Sequence, residues 1–193
     1  MPFSPLYSLK NELFFSFFLH LAKVQIFANV MTLEYVTGDL CATDVKVTYV
    51  AHQCYATSKR SDSLGLAKAI FTTHPYADVY RDRTEDSDLG SILFRGKFVA
   101  LFAQRYPGKP RRTDDTPENR AAWFAGCLST LCELVQDGDV IAFPEMIGCD
   151  LAGGDHKQVY LPILRNFAER LPPKCRVLLY RFEKRAYTSQ CQQ

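Results

Sequence analysis

Short apolar runs and amphipathic stretches alternate along this chain. Thr32–Val36 and Val45–Ala51 are rich in β-branched and aromatic residues and predict strands. Leu64–Thr73 predicts a short helix with Leu66, Ile70 and Phe71 on or near one face, stopped at His74-Pro75. Arg81–Asp88 is a charged stretch that predicts a solvated loop. Ser91–Phe94 and Phe98–Gln104 predict two strands around Gly96. Pro107–Asp115 is a polar loop. Thr116-Pro117 then opens a helix, with a capping hydroxyl and a proline whose missing N–H costs nothing at that position. Trp123, Cys127, Leu131 and Leu134 give this helix an apolar stripe, and its end is expected near Asp137-Gly138. Asp139–Phe143 and Val177–Tyr180 predict buried strands. Between them Lys157–Arg170 is helical in pattern, but Pro162 interrupts it, so the helix either kinks or starts there.

Strands alternating with helices predict an α/β sheet covered on both faces. Ligands of such sheets sit outside the carboxyl ends of the strands, which points to the loops after Ala51 and Phe143. The second of these is the most informative segment. Ile141–Asp155 reads IAFPEMIGCDLAGGD, an apolar strand, a loop with three glycines, then a helical pattern. That order lets backbone N–H groups close around an anion, because glycine leaves no Cβ between backbone and ligand. It matches neither the dinucleotide GxGxxG fingerprint nor the P-loop, which needs a following Gly-Lys-Ser/Thr.

The length of 193 residues suits one domain with a sizeable core, and 47% hydrophobic with 23% charged residues is ordinary globular composition. Twenty-three basic and 21 acidic residues leave a net charge of +2, which gives no argument for nucleic acid. The seven cysteines are odd in number and lack CxxC or Cys/His spacing, so they read as free thiols in a reducing compartment, with no metal site. The apolar, aromatic run Leu13–Ala22 is too short and interrupted to span a membrane. Residues 1–30 therefore read in three ways: a translation start that belongs at Met31, a packing extension, or a signal segment.

Several further segments stand in a telling order: LEYVTGDL at 33–40, VKVTYVAHQC at 45–54, GLAKAIF at 65–71, LFAQ at 101–104 and IGCDLAGGD at 147–155. In order and spacing the chain resembles a macro domain, more narrowly the ADP-ribose 1''-phosphate phosphatase-like branch, over residues 32–182. The resemblance implies a three-layer α/β/α fold with a central mixed, mostly parallel sheet. The macro domain would occupy 31–183, between the extension 1–30 and a polar tail 184–193. It departs from the family pattern at three places: Tyr55 stands for the Asn after HQC, Asp150 for a glycine of the phosphate loop, and His156 for the Trp after GGD.

The resemblance implies a ligand site as well. Asp39, between Gly38 and Leu40, would accept a hydrogen bond from the adenine amino group; the plain alternative is an Asx turn. Phe182 would lie against the adenine, with Tyr180 as the alternative. Gly65 and Leu66 would offer backbone contacts. So would the loop Ile147, Gly148, Cys149, Asp150, Leu151, Ala152, Gly153 and Gly154, reaching the diphosphate and distal ribose. Asp150 would repel a phosphate unless it turns to solvent, and Asp is tolerant of left-handed turns. Tyr55 replaces a group that would bond the distal ribose. His52 and Asp155 are the candidates for proton transfer and for handling the attacking water. Their alternatives are a strand-end histidine satisfied by backbone and a helix N-cap. The covalent lysine of the terminal ADP-ribose glycohydrolase type is missing, since Thr72 and Thr73 follow Phe71. Nothing places a base against Cys54 or Cys149.

These residues predict an intracellular protein, cytoplasmic or nuclear and monomeric. It would bind ADP-ribose or ADP-ribose 1''-phosphate, or act on mono-ADP-ribosylated proteins, with no metal, cofactor or membrane involved. The expected reaction is hydrolysis of ADP-ribose 1''-phosphate or removal of ADP-ribose from protein. The alternative is a reader that binds without turnover.

Overall fold

The computed structural model describes residues 33–42, 46–58 and 63–182, all within the compact unit Met31–Gln193. The predicted extension 1–30 and tail 184–193 lie outside the described residues. Six strands form one sheet: β1 (Leu33–Thr37), β2 (Tyr49–Tyr55), β3 (Ile92–Arg95), β4 (Phe98–Gln104), β5 (Val140–Pro144) and β6 (Arg176–Arg181). Their order is β1-β6-β5-β2-β4-β3. Every neighbouring pair is parallel except β3 with β4. Three helices connect them: α1 (Gly65–Thr73), α2 (Pro117–Leu134) and α3 (Leu161–Glu169).

Alternating side chains send the two faces of the sheet into separate cores. Ala51, Val99, Leu101, Ile141, Phe143 and Leu179 pack with Phe124 and Leu131 of α2 and Phe167 of α3. Val50, Cys54, Ala100, Phe102, Ala142 and Leu178 face the other way, onto Ala67, Ile70 and Phe71 of α1. Burying one such Phe is worth about 1.5–3 kcal/mol. The result is the expected three-layer α/β/α arrangement around a mixed, mostly parallel sheet. All seven residues of β4 are buried, as befits a strand covered on both faces.

Two local expectations are corrected, and of the two readings at Pro162 the helix start is the one found. The second strand does not end at Ala51 but runs on through Tyr55, because His52 and Cys54 are buried in the α1 face and hydrogen-bonded to β4. The inner stripe of α2 is Arg120, Phe124, Cys127, Leu128 and Leu131; Leu134 is exposed, since the helix ends there and not near Asp137. The stretch around Pro162 is a π-turn (His156–Tyr160) followed by α3, so the proline falls in a first turn where no N–H is needed.

Parallel pairing puts the carboxyl ends of β1, β2, β5 and β6 on one edge of the sheet. The segments that leave Thr37, Tyr55, Pro144 and Arg181 line the cleft described next.

Candidate functional site

Two cavities adjoin along this edge. One, of about 460 Å³, is lined by Gly38, Asp39, Leu40, Tyr180, Phe182 and their neighbours. The other, of about 250 Å³, is lined by His52, Tyr55, Leu64, Pro107, Gly108, Ile147, Gly148, Cys149, Leu151 and Ala152, among others. Gly65, Leu66, Pro144, Met146 and Asp150 border both, so the two form the ends of one elongated cleft.

The glycine loop after β5 forms one wall at the middle of this cleft. Gly148 has φ of 72°, and a Cβ there would fall inside the Tyr160 ring, so a side chain is excluded twice over. Successive turn bonds wind the segment tightly, from Cys149 N–H to Met146 O (3.1 Å), Ala152 N–H to Cys149 O (2.8 Å) and Gly154 N–H to Gly148 O (2.9 Å). The N–H groups of Gly148, Asp150 and Leu151 are left over, with no hydrogen-bond partner among the described residues. Opposite stands the N-terminus of α1, where Leu64 provides no side-chain cap. Its first-turn amides have no intrahelical acceptor, and the helix dipole adds partial positive charge. Amides from two elements that have no partner among the described residues thus border the same space, as an anion-binding site requires.

At the larger end, Asp39 Oδ1 accepts from Cys41 N–H at 2.8 Å, the Asx turn read as one alternative. A carboxylate has further lone pairs, so this bond does not exhaust Asp39 as an acceptor. Phe182 is 66% exposed, an aromatic face belonging to no core. Glu145 and Arg181 border it as a bidentate pair, 2.7 Å at both contacts, and that hydrogen bonding holds the Glu145 carboxyl below its ordinary range.

At the smaller end, His52 is only 1% exposed. Its Nδ1 lies 3.5 Å from Cys54 Sγ, and its Nε2 has no partner although buried. Burial lowers its pKa to about 4, so the ring is neutral at physiological pH. Tyr55 is 4% exposed and stacks on Tyr80, ring centroids 4.1 Å apart and planes 12° from parallel. A register irregularity at Cys54/Tyr55 accompanies this, and the Tyr55 N–H donates to the Tyr80 hydroxyl at 3.0 Å. Arg83 lies over both rings and donates to the carbonyls of Tyr55 and Thr57. Cys149 is buried, and burial, then Asp150 and Asp155, push its thiol up to about 11, away from a reactive thiolate. Asp155 caps the π-turn, accepting from Gln158 N–H at 2.9 Å. It lies behind the loop with Gly153 and Gly154, and these three line neither cavity. The remaining site residues expected from sequence are brought together on the cleft. Among the described residues, no group of three or more His, Cys, Asp or Glu is placed to hold a metal.

Sequence reading missed the Tyr55–Tyr80–Arg83 stack and a buried arginine under the loop. Arg120, from the inner face of α2, is buried beneath the loop. It pairs with Asp115 through Nε–Oδ1 (2.7 Å) and Nη2–Oδ2 (2.6 Å) and donates to the carbonyls of Tyr106, Gly108 and Ala152. A signal existed: 120, 124, 127 and 131 follow helical periodicity, so an arginine stood on a buried stripe and needed a partner.

The chain is similar in fold to solved macrodomains. A point mutant of the Oceanobacillus iheyensis macrodomain matches over 78% of this chain and 84% of its own, with TM-score 0.51 and 18% identity. A second mutant of that macrodomain, solved with ADPR, matches over 76% and 83%, with TM-score 0.51 and 15% identity. An alphavirus structure, P23pro-zbd, matches over 78% of this chain with TM-score 0.51 and 16% identity; this chain spans 22% of the viral one. No protein-family model matches the sequence. No curated protein matches it either. The chain therefore has a macrodomain fold, established by shape at low sequence identity.

Proposed function

We propose that the cleft binds ADP-ribose and that the protein hydrolyses ADP-ribose 1''-phosphate to ADP-ribose and phosphate, or removes mono-ADP-ribose from proteins. The observation that carries the reading is the pair of facing amide sets, Gly148, Asp150 and Leu151 against the uncapped start of α1. They stand midway along an elongated cleft, where the diphosphate of a dinucleotide-like ligand would fall. Phe182 would stack on the adenine and Asp39 would accept from its amino group. The distal ribose would enter the smaller cavity, whose lining includes His52 and Tyr55. Fixed amides of this kind stabilise charge without reorganising during a reaction. Asp155 or His52 would direct the attacking water.

A second reading, an ADP-ribose reader without turnover, is favoured by specific observations. Asp155 is engaged as a cap and lines neither cavity, His52 is buried and neutral, and Tyr55 is locked against Tyr80. Calorimetric titration of ADP-ribose into the full chain tests the shared part: one-to-one binding near micromolar, about −8 kcal/mol, is expected. No heat at millimolar ligand would end both readings. Phosphate release from ADP-ribose 1''-phosphate, lost in Asp155→Ala or His52→Ala, then separates enzyme from reader.

A further inference from the structure

We infer that Gln104 is a specificity residue whose side-chain amide donates to a hydroxyl of the distal ribose, held in place for that contact by Gln53. The inference rests on the proposed placement of ADP-ribose in the cleft.

Gln53 and Gln104 both line the smaller cavity, and among the described residues no other Asn or Gln lines either end of the cleft. Gln104 is the last residue of β4 and Gln53 stands near the end of β2. Parallel pairing therefore brings both to the sheet edge that carries the cleft. The register slips at this point: Cys54 stands opposite Phe102, but Tyr55 stands opposite Gln104. An extra residue on one strand is a bulge, which re-aims a side chain where a strand ends.

The hydrogen bonds of the pair decide what it offers a ligand. Gln53 Nε2 donates to Gln104 Oε1 at 2.8 Å. That bond occupies the carbonyl end of the Gln104 amide and fixes which way it faces. What remains is Gln104 Nε2, which carries two N–H donors. It has no partner among the described residues and, unlike the Gln53 Oε1, is not enclosed by protein. Gln104 as a whole is nonetheless only 9% exposed. A buried amide that keeps its donors open onto a cavity lacks an acceptor, and a bound ligand can supply one.

The chemistry of the donor selects that acceptor. A neutral amide carries no charge to offset a further phosphate, and Asp150 on the same lining disfavours one. A sugar hydroxyl accepts without bringing charge. The cavity, about 250 Å³, lies beyond the backbone amides that would meet the diphosphate, where the distal ribose follows.

The test compares calorimetric titrations of ADP-ribose and ADP into the full chain, as wild type, Gln104→Met and Gln53→Met. ADP shares the adenosine and the diphosphate but lacks the distal ribose. Wild type is expected to bind ADP-ribose more tightly than ADP. Gln104→Met is expected to weaken ADP-ribose about five- to tenfold, the size of one hydrogen bond, and ADP less than about twofold. Gln53→Met leaves the donor in place but frees the amide to turn, so a smaller loss, about two- to threefold, is expected for ADP-ribose alone. The ratio of the two affinities is the decisive readout, because damage to the fold or to the cleft as a whole would weaken both ligands. Equal weakening of both by Gln104→Met, no change in either, or a wild type that binds both equally overturns the inference while leaving the cleft as a nucleotide site. Unchanged ADP-ribose affinity in Gln53→Met removes Gln53 from its positioning role. Wild-type protein that binds neither ligand overturns the assignment of the cleft, and this inference with it.

Discussion

Arg120 and Asp115 form a bidentate ion pair at 2% and 1% exposure, and the same guanidinium holds the carbonyl of Ala152 in the glycine loop. The pair thus joins the loop after β4 to the loop after β5, the two segments that close the smaller cavity. Arg120→Met would leave Asp115 buried with only the Tyr106 N–H at 3.2 Å to compensate. Such a break costs about 3–5 kcal/mol, to be read by urea denaturation. The double substitution Asp115→Leu with Arg120→Met removes both charges and is expected to recover most of that loss. Ligand affinity should stay low in the double variant, because Tyr106, Gly108 and Ala152 have lost their common donor. Recovery of affinity along with stability would show that Arg120 only fills space.

Asp150 is the one described non-glycine residue with positive φ, at 42°. An L side chain in this conformation costs about 1–2 kcal/mol relative to its preferred regions, a cost that glycine escapes. Asp150→Gly is expected to raise stability by about 0.5–1 kcal/mol once the greater entropy of unfolded glycine is counted. It also removes a carboxylate from the border of both cavities, so ADP-ribose should bind several-fold more tightly. Unchanged or weaker binding in calorimetry would mean that the Asp150 side chain does not sense the ligand.

Much of the fold was legible in the sequence, for reasons that differ by element. Phe98–Gln104 was placed correctly because a strand buried on both faces is apolar throughout. The start of α2 was clear because capping is local: Thr116 accepts from Asn119 N–H at 3.1 Å, as the Thr-Pro pair implied. The end of α2 was misjudged because Leu134 continues the apolar spacing while standing exposed at the last turn. The far half of β2 was misjudged because His52, Gln53 and Tyr55 carry polar atoms whose burial only the sheet reveals. Within the site, the glycine loop was visible because its residues are contiguous. The Tyr55–Tyr80–Arg83 stack and the Arg120–Asp115 pair were not. The first joins β2 to a stretch that reads as a solvated charged loop. The second hides a salt bridge inside a helix stripe and a polar loop.

Phe182 follows the last strand and exposes its ring at the edge of the larger cavity. Because it is outside the core, Phe182→Ala should leave the urea midpoint unchanged. An aromatic that stacks on a base contributes about 1–3 kcal/mol, so ADP-ribose affinity should fall by roughly one to two decades. ADP and AMP should lose as much, since they share the adenine, whereas ribose 5-phosphate should lose nothing. A drop common to all four ligands would point to a distorted cleft.

His52 gives the protein a pH signature. Its folded pKa of about 4 lies below the ordinary histidine value of 6.5 because burial disfavours the imidazolium. Between those two values the unfolded chain binds a proton that the folded chain refuses. Stability is therefore unaffected above pH 6.5 and falls as pH drops toward 4, by up to about 1.4 kcal/mol per pH unit. Over pH 6.5 to 5, before most carboxylates titrate, the loss is roughly 1–2 kcal/mol. His52→Gln retains a polar side chain without a titrating group, and urea denaturation across that interval should show a flatter profile, even if the variant is less stable overall. A slope equal to wild type would mean that His52 takes up its proton in the folded state. Ligand binding adds a second reading: a ring that stays neutral in the folded protein predicts affinity independent of pH from 8 down to 6. Titration of affinity within that range would assign the ring to the charged form and reopen its role as a general acid.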